Sequence, residues 1–338
     1  MKAYLLDKSG KSDVLRIHNV PQPEIVLDDD VLIRVLAIGL NYAEVLSRKG
    51  QYSWAPPRPY IPGMECYGEV VAVGKAVEHL SIGDRVMAGG QYGSYAEYKL
   101  APQHLVFKAI EGFTPEENAA FLVNFMTAWV AIEKQARIAE GEICLIHAAA
   151  GGVGTAAIQI AKARGGRVIG TAGSASKLEV VKNLGAERAI NYLQDDFYTA
   201  VKESYGGVDV VLEVVGGDVF RKSLELLNPF GRICIAGYAS IPLNKWNPLT
   251  YWKTWKDAPK INIMKMAKAS HGVFATHIGY LTDNKTLSRK IVGEVRSFCD
   301  KNGLKPVVGA EYSFDQIADA HSFMQSRKSH GKIVIKLD

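Results

Sequence analysis

Ile143-Cys144-Leu145-Ile146-His147-Ala148-Ala149-Ala150-Gly151-Gly152-Val153-Gly154 joins a short apolar run to a glycine-rich turn. The next residues, Thr155 to Arg164, are amphipathic with helical spacing, so the pattern predicts a strand, a tight turn and a helix. Glycine at 151 lets the backbone approach a pyrophosphate at the positive helix N-terminus, and Gly154 lets the helix pack closely on the strand. Alanine stands at the first position of this G-x-G-x-x-G motif. We predict that the turn binds a dinucleotide through Gly151, Gly152, Val153 and Gly154.

The residues that follow, up to about Gly237, repeat the alternation of strand and helix. Ser174 is predicted to cap one helix, which would run from Ala175 to Leu184 and end at Gly185. Alternation of this length implies βαβ units and a doubly wound parallel sheet in an α/β fold. The other strands are predicted at 167–171, 189–192, 208–215 and 232–236, and the other helices at 195–205 and 219–227.

The stretch after the second strand, Thr171-Ala172-Gly173-Ser174-Ala175-Ser176-Lys177, indicates which dinucleotide binds. NAD sites carry an acidic residue about 20 positions after the glycine motif, where it holds the ribose 2′-hydroxyl. This stretch has no carboxylate, and it offers two serine hydroxyls and a lysine at a helix start. Such groups suit a 2′-phosphate. We therefore predict NADPH as the cofactor, bound here by Gly173, Ser174 and Lys177.

The two ends of the chain differ from its middle. The first 110 residues or so contain short β-rich stretches separated by glycine and proline turns, which is typical of an antiparallel barrel-like domain. After about Val307 the pattern is strand, helix and strand, with the helix over 315–326 and the last strand over 332–335. The chain is therefore predicted to contain two domains, which its 338 residues allow.

Composition excludes several classes of protein. Apolar residues make up 48% and charged residues 22%, which is typical of a globular protein and not of a disordered or fibrous one. The net charge of +5 is spread along the chain, so a dedicated nucleic-acid binder is not expected. No apolar run is long enough to predict a membrane span, and the four cysteines are isolated from one another. We predict a cytoplasmic protein.

The segment 245–270 contains Trp246, Trp252 and Trp255, and six lysines against the single acid Asp257. Two interpretations are open. The segment is either a surface for a membrane or partner, or a helical insertion whose aromatic residues pack over a substrate cleft or a dimer contact.

Several short motifs, taken in this order and spacing, resemble one family. They are Gly39-Leu40-Asn41-Tyr42-Ala43-Glu44, Arg48-Lys49-Gly50-Gln51-Tyr52, Ile61-Pro62-Gly63-Met64-Glu65, Val123-Asn124-Phe125-Met126-Thr127-Ala128 and His277-Ile278-Gly279-Tyr280-Leu281, together with the glycine turn. The chain resembles a zinc-independent medium-chain dehydrogenase/reductase of the quinone oxidoreductase family. The motifs at 123–128 and 277–281 are most similar to its vesicle-amine-transport-protein-like branch.

The resemblance implies a fold and a metal-free site. A GroES-like β-barrel domain, 1–122, would be completed by 290–338, and a Rossmann domain would cover 123–289. Zinc-dependent members of the superfamily place cysteine and histidine where this sequence has Asn41 and Met64, so no metal is expected. Glu65 and Asp84 are expected to be structural. The family also implies a homodimer.

The resemblance further assigns roles to individual residues. Asn41 would lie beside the nicotinamide and could donate to the substrate oxygen, Tyr52 would line the mouth of the cleft, and Thr127 would contact the nicotinamide side. The other expected cofactor contacts are Tyr192 against the adenine, Gly237 and Tyr238 along the cofactor, and Arg327 at the phosphates.

The implied activity is hydride transfer from NADPH to a quinone. Reduction of an alkenal or enone C=C bond is an alternative within the same chemistry, and a low-turnover NADPH-binding protein with a membrane or partner role is a third possibility. Many bacterial relatives carry a tyrosine near Leu46, which this chain lacks. The proton would come from Tyr52 or from water.

Overall fold

The computed structural model describes residues 1–237 and 260–337. Contacts divide the chain into two compact units, Met1–Met126 with Ile278–Asp338, and Thr127–His277. The first unit therefore takes its residues from both ends of the chain, whereas the second is continuous. Each unit is described by itself below.

The strands of the described residues are β1 (Lys2–Leu5), β2 (Arg16–Asn19), β3 (Asp30–Leu40), β4 (Glu65–Val73), β5 (Arg85–Ala88), β6 (Tyr98–Pro102), β7 (Val106–Lys108), β8 (Ile143–Ile146), β9 (Arg167–Ala172), β10 (Arg188–Asn191), β11 (Val208–Glu213), β12 (Leu227–Ile235), β13 (Gly272–Ala275), β14 (Val308–Ser313) and β15 (Lys332–Lys336). The α-helices are α1 (Tyr42–Arg48), α2 (Pro115–Ala119), α3 (Leu122–Trp129), α4 (Gly152–Ala163), α5 (Ala175–Asn183), α6 (Phe197–Tyr205), α7 (Gly217–Glu225), α8 (Ile263–Ala267), α9 (Ile278–Thr282), α10 (Lys285–Asn302) and α11 (Ile317–Gln325). A π-helical stretch, Val130–Gln135, follows α3.

The first unit is built on a mixed β-sheet. In its described residues the strand order is β14-β15-β3-β4-β5-β7, with β6 also paired to β3. All these pairs are antiparallel except β14 with β15. The last strand, β15, pairs directly with β3, so the end of the chain completes the sheet begun by residues 30–40. A buried apolar core that includes Ile33, Val70 and Ile333 lies within this unit.

The second unit is built on a parallel sheet. Its described strands pair in the order β10-β9-β8-β11-β12-β13, and every pair is parallel. The strand order therefore reverses between β8 and β11, which is the doubly wound arrangement that places a ligand at the carboxyl ends of those two strands. The predicted parallel sheet is confirmed. Its sixth strand, β13, was not predicted.

The helices of the second unit begin and end close to the predicted positions. Ser174 caps α5 by accepting from the backbone N–H of Lys177, and Gly185 has a φ of +93°, as a glycine after a helix end often does. The predicted fourth strand is too long, because β11 ends at Glu213 and the next residues form a turn. The last predicted helix is also too long, because Leu227 already belongs to β12.

Candidate active site

The glycine turn lies between β8 and α4, at the carboxyl edge of the parallel sheet. Gly151 is the N-cap of α4, and its backbone N–H donates to the carbonyl of Ala148 at 2.9 Å, which closes the turn. A Cβ atom on Gly154 would lie 2.6 Å from the carbonyl oxygens of Ala148 and Ala149. Only glycine therefore allows the helix to begin this close to the turn. Gly152 and Val153 form the first turn of α4, whose N–H groups remain available to an anion.

The carboxyl end of β9 brings together the residues predicted to bind the adenosine half of the cofactor. A Cβ atom on Gly173 would lie 2.6 Å from the hydroxyl of Tyr192, so the tyrosine packs directly over this glycine. The Ser174 and Ser176 hydroxyl oxygens are 3.2 Å apart at the start of α5. Lys177 lies in the same turn, and burial lowers the pKa of its ammonium group. The structure thus places Gly173, Tyr192, Ser174 and Lys177 at one edge.

A buried polar cluster lies at the end of β8. His147 Nδ1 is 3.1 Å from Thr171 Oγ1, and His147 Nε2 is 2.8 Å from Ser223 Oγ. The imidazole therefore joins β8, β9 and α7 next to the glycine turn. Burial lowers the pKa of His147 to about 3, so the ring is neutral. No function was predicted for His147 from the sequence. Its role in the structure is to hold three elements together.

Glu213 is a second group that sequence analysis missed. This buried residue ends β11, and its carboxylate accepts from the backbone N–H groups of Val215, at 2.7 Å, and Gly216, at 2.9 Å. Burial raises its pKa to about 7. The carboxylate fixes the turn after β11, and Gly237 lies beside Val214 of that turn. An acid at the end of an apolar strand was the only signal in the sequence.

In the first unit, Asn41 lies at the start of α1 and is almost fully buried. Its Nδ2 group donates to the carbonyl of Gly39 at 3.1 Å and to Glu65 Oε1 at 3.2 Å. Its Oδ1 accepts from Lys332 Nζ at 2.7 Å. Both amide hydrogens are thus already donated within the unit. These contacts fix the orientation of the Asn41 side chain, and the role expected for it beside the nicotinamide and the substrate oxygen stays a prediction.

Lys332 and Glu65 form a buried ion pair beside Asn41. The two side chains are 2% and 1% exposed, and Glu65 Oε2 also accepts from the backbone N–H of Val123 at 2.9 Å. The carboxylate therefore ties β4 to β15 and to the start of α3. The expectation that Glu65 is structural agrees with these contacts. No function was predicted for Lys332. Its only signal in the sequence is its position directly before an apolar strand.

Glu44 organises a second buried network in this unit. Its carboxylate accepts from the backbone N–H groups of Asn41 and Met64 and from the Tyr95 hydroxyl, at 2.8, 2.7 and 2.6 Å. The Tyr95 oxygen is also 2.9 Å from His321 Nε2. Burial raises the pKa of Glu44 and lowers that of His321 to about 3. The Asn41–Glu44 spacing is that of a capping box, and this signal could have identified Glu44.

Tyr52 lies in the segment after α1, within a group of aromatic rings. Its ring centroid is 5.7 Å from that of Trp54, and Trp54 makes an edge-to-face contact at 5.0 Å with Tyr280 on α9. Burial, followed by the negative charge of Glu44, raises the pKa of Tyr52 to about 12. The phenol is therefore protonated near neutral pH and is a hydrogen-bond donor. Neither Trp54 nor Tyr280 was assigned a function from the sequence.

The remaining expected site residues have these positions. Thr127 is buried on α3. Arg327 is exposed in the turn after α11, with a φ of +58°. Tyr238 and the stretch 245–259, with its three tryptophans, lie outside the described residues, so the predictions made for them stay predictions.

Within 1–237 and 260–337, there is no group of three or more His, Cys, Asp or Glu residues that could hold a metal ion. No helix in that part of the chain is long and apolar enough to cross a membrane.

Two family models match the chain. Residues 27–111 match the alcohol dehydrogenase GroES-like domain, and residues 152–254 match the zinc-binding dehydrogenase model. The first match falls within the mixed-sheet unit. The second begins at the first residue of α4.

Relatives match over almost the whole chain. The chain is 34% identical to the synaptic vesicle membrane protein VAT-1 homolog of Rattus norvegicus, over 99% of this chain and 84% of that protein. It is 31% identical to the quinone oxidoreductase of Homo sapiens, over 100% of this chain and 98% of the relative. Among solved structures, a mycobacterial protein complexed with NADPH has a TM-score of 0.88 and 30% identity, covering 99% of each chain.

Proposed function

The chain belongs to the quinone oxidoreductase branch of the medium-chain dehydrogenase/reductase family, and on this premise we propose that it is an NADPH-dependent reductase that transfers hydride to a quinone. One structural observation supports the binding of a dinucleotide that this reaction requires. A parallel sheet reverses its strand order beside a glycine turn that opens directly into α4. This is the arrangement in which open α/β sheets bind dinucleotides.

We propose that the second unit binds NADPH along the carboxyl edge of its sheet. Gly151, Gly152, Val153 and Gly154 would receive the pyrophosphate at the N-terminus of α4. Tyr192, packed over Gly173, would cover the adenine, and Gly237 and Tyr238 would follow the rest of the cofactor. Arg327 and Thr127 remain proposed contacts at the phosphates and the nicotinamide. The NADPH complex of the mycobacterial relative supports this choice of cofactor.

The preference for NADPH over NADH rests on the start of α5. Ser174, Ser176 and Lys177 provide two hydroxyls and a cation within one helical turn, and no acidic side chain lies between Thr171 and Lys177. A carboxylate would repel a 2′-phosphate, whereas this group of donors can bind it.

On the acceptor side, we propose that Asn41 lies beside the nicotinamide and that Tyr52 donates a hydrogen bond to the substrate. When bound, NADPH supplies the hydride that, together with one proton, converts a quinone into its hydroquinone. The oxygen that gains negative charge needs a donor, and the Tyr52 phenol is protonated near neutral pH. Its proton, or that of a water molecule, completes the reduction.

We propose that the reaction needs no metal. Asn41 and Met64 replace the cysteine and histidine that bind zinc in other members of the superfamily, and neither provides a thiolate or an imidazole. The Asn41 oxygen is already bound to the Lys332 ammonium group, so a cation is present next to this position. A hydride acceptor as electron-poor as a quinone needs only hydrogen bonds to its oxygen.

The proposal is tested by following the loss of NADPH absorbance with four acceptors: a small benzoquinone, a naphthoquinone, an α,β-unsaturated aldehyde and a cyclic enone. NADH is the cofactor control. We expect saturable turnover of the quinones with NADPH, and unchanged turnover after a metal chelator. Turnover of the aldehyde or enone alone would replace the proposal with a C=C reductase. Tight NADPH binding without turnover of any acceptor would replace it with a nucleotide-dependent binding protein.

The assembly, domain limits and location are proposed on the same premise. We propose a homodimer in the cytoplasm, with a GroES-like domain of residues 1–122 and 290–338 and a cofactor domain of residues 123–289. Light scattering of the purified protein tests the dimer.

A further inference from the structure

Arg48, the last residue of α1, is a buried cation in the first unit. It is only 1% exposed, and burial lowers the pKa of its guanidinium group. Its Nη2 group donates to Gln325 Oε1 at 2.7 Å, and Gln325 carries no charge. No carboxylate oxygen of the described residues lies within 4.0 Å of the guanidinium nitrogen atoms. A charge held out of water is costly unless another charge balances it, and the neutral Gln325 does not.

Part of the guanidinium also has hydrogens that are not donated. Arg48 Nε and Arg48 Nη1 are both shielded from solvent, and neither bonds to any residue that the structure describes. Buried polar groups in proteins nearly always have a hydrogen-bond partner. These two groups therefore point to an acceptor that the chain itself does not supply.

His321, on α11, is a second buried residue with an unpartnered atom. It is 1% exposed, and its Nδ1 atom bonds to no described residue. Gln325, which accepts from Arg48, follows His321 by one helical turn, so both lie on the face of α11 that meets Arg48. Burial and, after it, the positive charge of Arg48 lower the pKa of His321 to about 3. The unpartnered atoms of Arg48 and His321 thus lie between α1 and α11.

The surrounding hydrogen bonds make His321 Nδ1 an acceptor. The Tyr95 hydroxyl donates to Glu44 Oε2 at 2.6 Å, so the Tyr95 oxygen accepts at its 2.9 Å contact with His321 Nε2. The imidazole hydrogen is therefore assigned to Nε2. Because the ring is neutral near neutral pH, it has only this one hydrogen, and Nδ1 carries a lone pair.

Arg48 and His321, here called the buried polar pair, therefore combine a positive charge, N–H donors and one acceptor. Chloride or nitrate can accept from Arg48 but has no hydrogen to donate to His321 Nδ1. Water can donate to Nδ1 but leaves the charge of Arg48 unbalanced. A small oxyanion that keeps one O–H group, such as hydrogencarbonate, meets all three requirements.

We propose that the buried polar pair binds a small oxyanion that carries one O–H group, with Arg48 donating to its charged oxygens and His321 Nδ1 accepting from its O–H. Gln325 is exposed and bonded to the guanidinium, so movement of this one side chain would admit the anion. The site uses no residue of the proposed cofactor or acceptor sites. It is tested without turnover, so failure of the proposed reductase activity does not change its outcome.

The first test compares two planar anions of equal charge on the unmodified protein. Titration calorimetry with sodium hydrogencarbonate and with sodium nitrate, at one pH and one ionic strength, isolates the contribution of the O–H group, which nitrate lacks. We expect a single hydrogencarbonate site per chain, with affinity about tenfold higher than for nitrate. Equal affinities, or no binding of either anion, would overturn the inference. This comparison does not depend on the folding of any variant.

The second test locates the anion with R48M, H321F and the control R16M. Arg16 is an exposed arginine of β2, so R16M removes one positive charge from the same unit and leaves the buried polar pair intact. Hydrogencarbonate should raise the Tm of the unmodified protein and of R16M but not that of R48M. H321F should bind hydrogencarbonate no more tightly than nitrate. A rise in Tm that persists in R48M would mean that the anion binds elsewhere and would overturn the inference.

The stability of R48M without added anion is a third measurement. Methionine replaces an unbalanced buried cation with an apolar side chain of similar length. We therefore expect R48M, in a buffer free of hydrogencarbonate, to unfold at or above the Tm of the unmodified protein. A clearly lower Tm for R48M would show that the chain itself balances the charge of Arg48, which would contradict the proposed site.

Discussion

Lys332 shows how one buried side chain sets the geometry of several others. Its ammonium group donates to Asn41 Oδ1 and to Glu65. Because the amide oxygen of Asn41 faces Lys332, the amide nitrogen faces Gly39 and Glu65 and donates to both. A lysine buried this deeply is costly unless its charge is balanced. Glu65 balances it. The orientation of the Asn41 amide is therefore set by residues from two distant strands, β4 and β15.

We expect Lys332→Met to lower the free energy of unfolding by about 3–5 kcal/mol, because it leaves the buried Glu65 carboxylate without its cation. Denaturation in urea measures the loss. Lys336→Met is the matched control on the same strand: its side chain is 51% exposed, and its pairs with Glu116 and Glu311 should contribute little because solvent screens them. Adding Glu65→Gln to Lys332→Met should recover part of the loss. Equal effects of the two single lysine variants would disprove this account.

Among the elements, the start of α5 combines a helix cap with the residues proposed to select NADPH. Ser174 caps the helix by accepting from the backbone N–H of Lys177. Ser174→Ala would remove a helix cap that contributes about 1 kcal/mol to stability. A change in its NADPH affinity could then not be separated from the loss of stability. Lys177 is the better position at which to test cofactor preference.

We expect Lys177→Gln to weaken NADPH binding about tenfold and to leave NADH binding unchanged, because only NADPH has a 2′-phosphate to lose a charged hydrogen bond. Lys182→Gln, in the last turn of the same helix, is the control and should change neither. Equilibrium fluorescence titration with both nucleotides measures the effect. A parallel loss for NADPH and NADH would show that Lys177 does not contact the 2′-phosphate.

The elements of the second unit were predictable because local patterns and fold agree there. The apolar runs of β8 and β11, the Ser174 cap and the glycine after α5 each signal their structure in a few residues. β13 was missed because it has only four residues and is identified by its pairing with β12. The Lys332–Glu65 and Tyr95–His321 contacts join residues more than 200 positions apart, which no short pattern reveals. Thr127, Tyr238 and Arg327 rest on the family resemblance.

At the scale of the whole molecule, two neutral buried histidines make stability depend on pH. Burial lowers the pKa values of His147 and His321 from 6.5 to about 3. In the unfolded chain each binds a proton below its usual pKa, while in the folded state it does not. Their contribution to stability is therefore complete above pH 6.5 and is lost as pH falls toward 3. Glu213 acts in the opposite direction, because its raised pKa makes the folded state lose stability as pH rises from about 4.5 to about 7.

We expect His147→Gln to reduce the loss of unfolding free energy between about pH 7 and about pH 5 by roughly 2 kcal/mol, since the variant has one fewer group to protonate on unfolding. Urea denaturation at the two pH values measures the difference. His18→Gln, which replaces an exposed histidine on β2, is the control for the substitution itself. The Glu213 contribution cancels in the comparison. Parallel pH profiles for His147→Gln and the unmodified protein would refute the assignment.

The pairing of β15 with β3 has a consequence for synthesis on the ribosome. Residues 127–277 are contiguous, so the parallel-sheet unit can fold while the chain is still being made. In the mixed sheet, by contrast, residues 37–40 of β3 lack their β15 partner until residues 332–336 emerge some 300 positions later. During that interval Glu65 lacks the Lys332 ammonium group, and the unpaired part of the strand edge is open to pairing with other nascent chains. Residues 332–336 thus complete the sheet of the first unit only after its other paired strands have been synthesised.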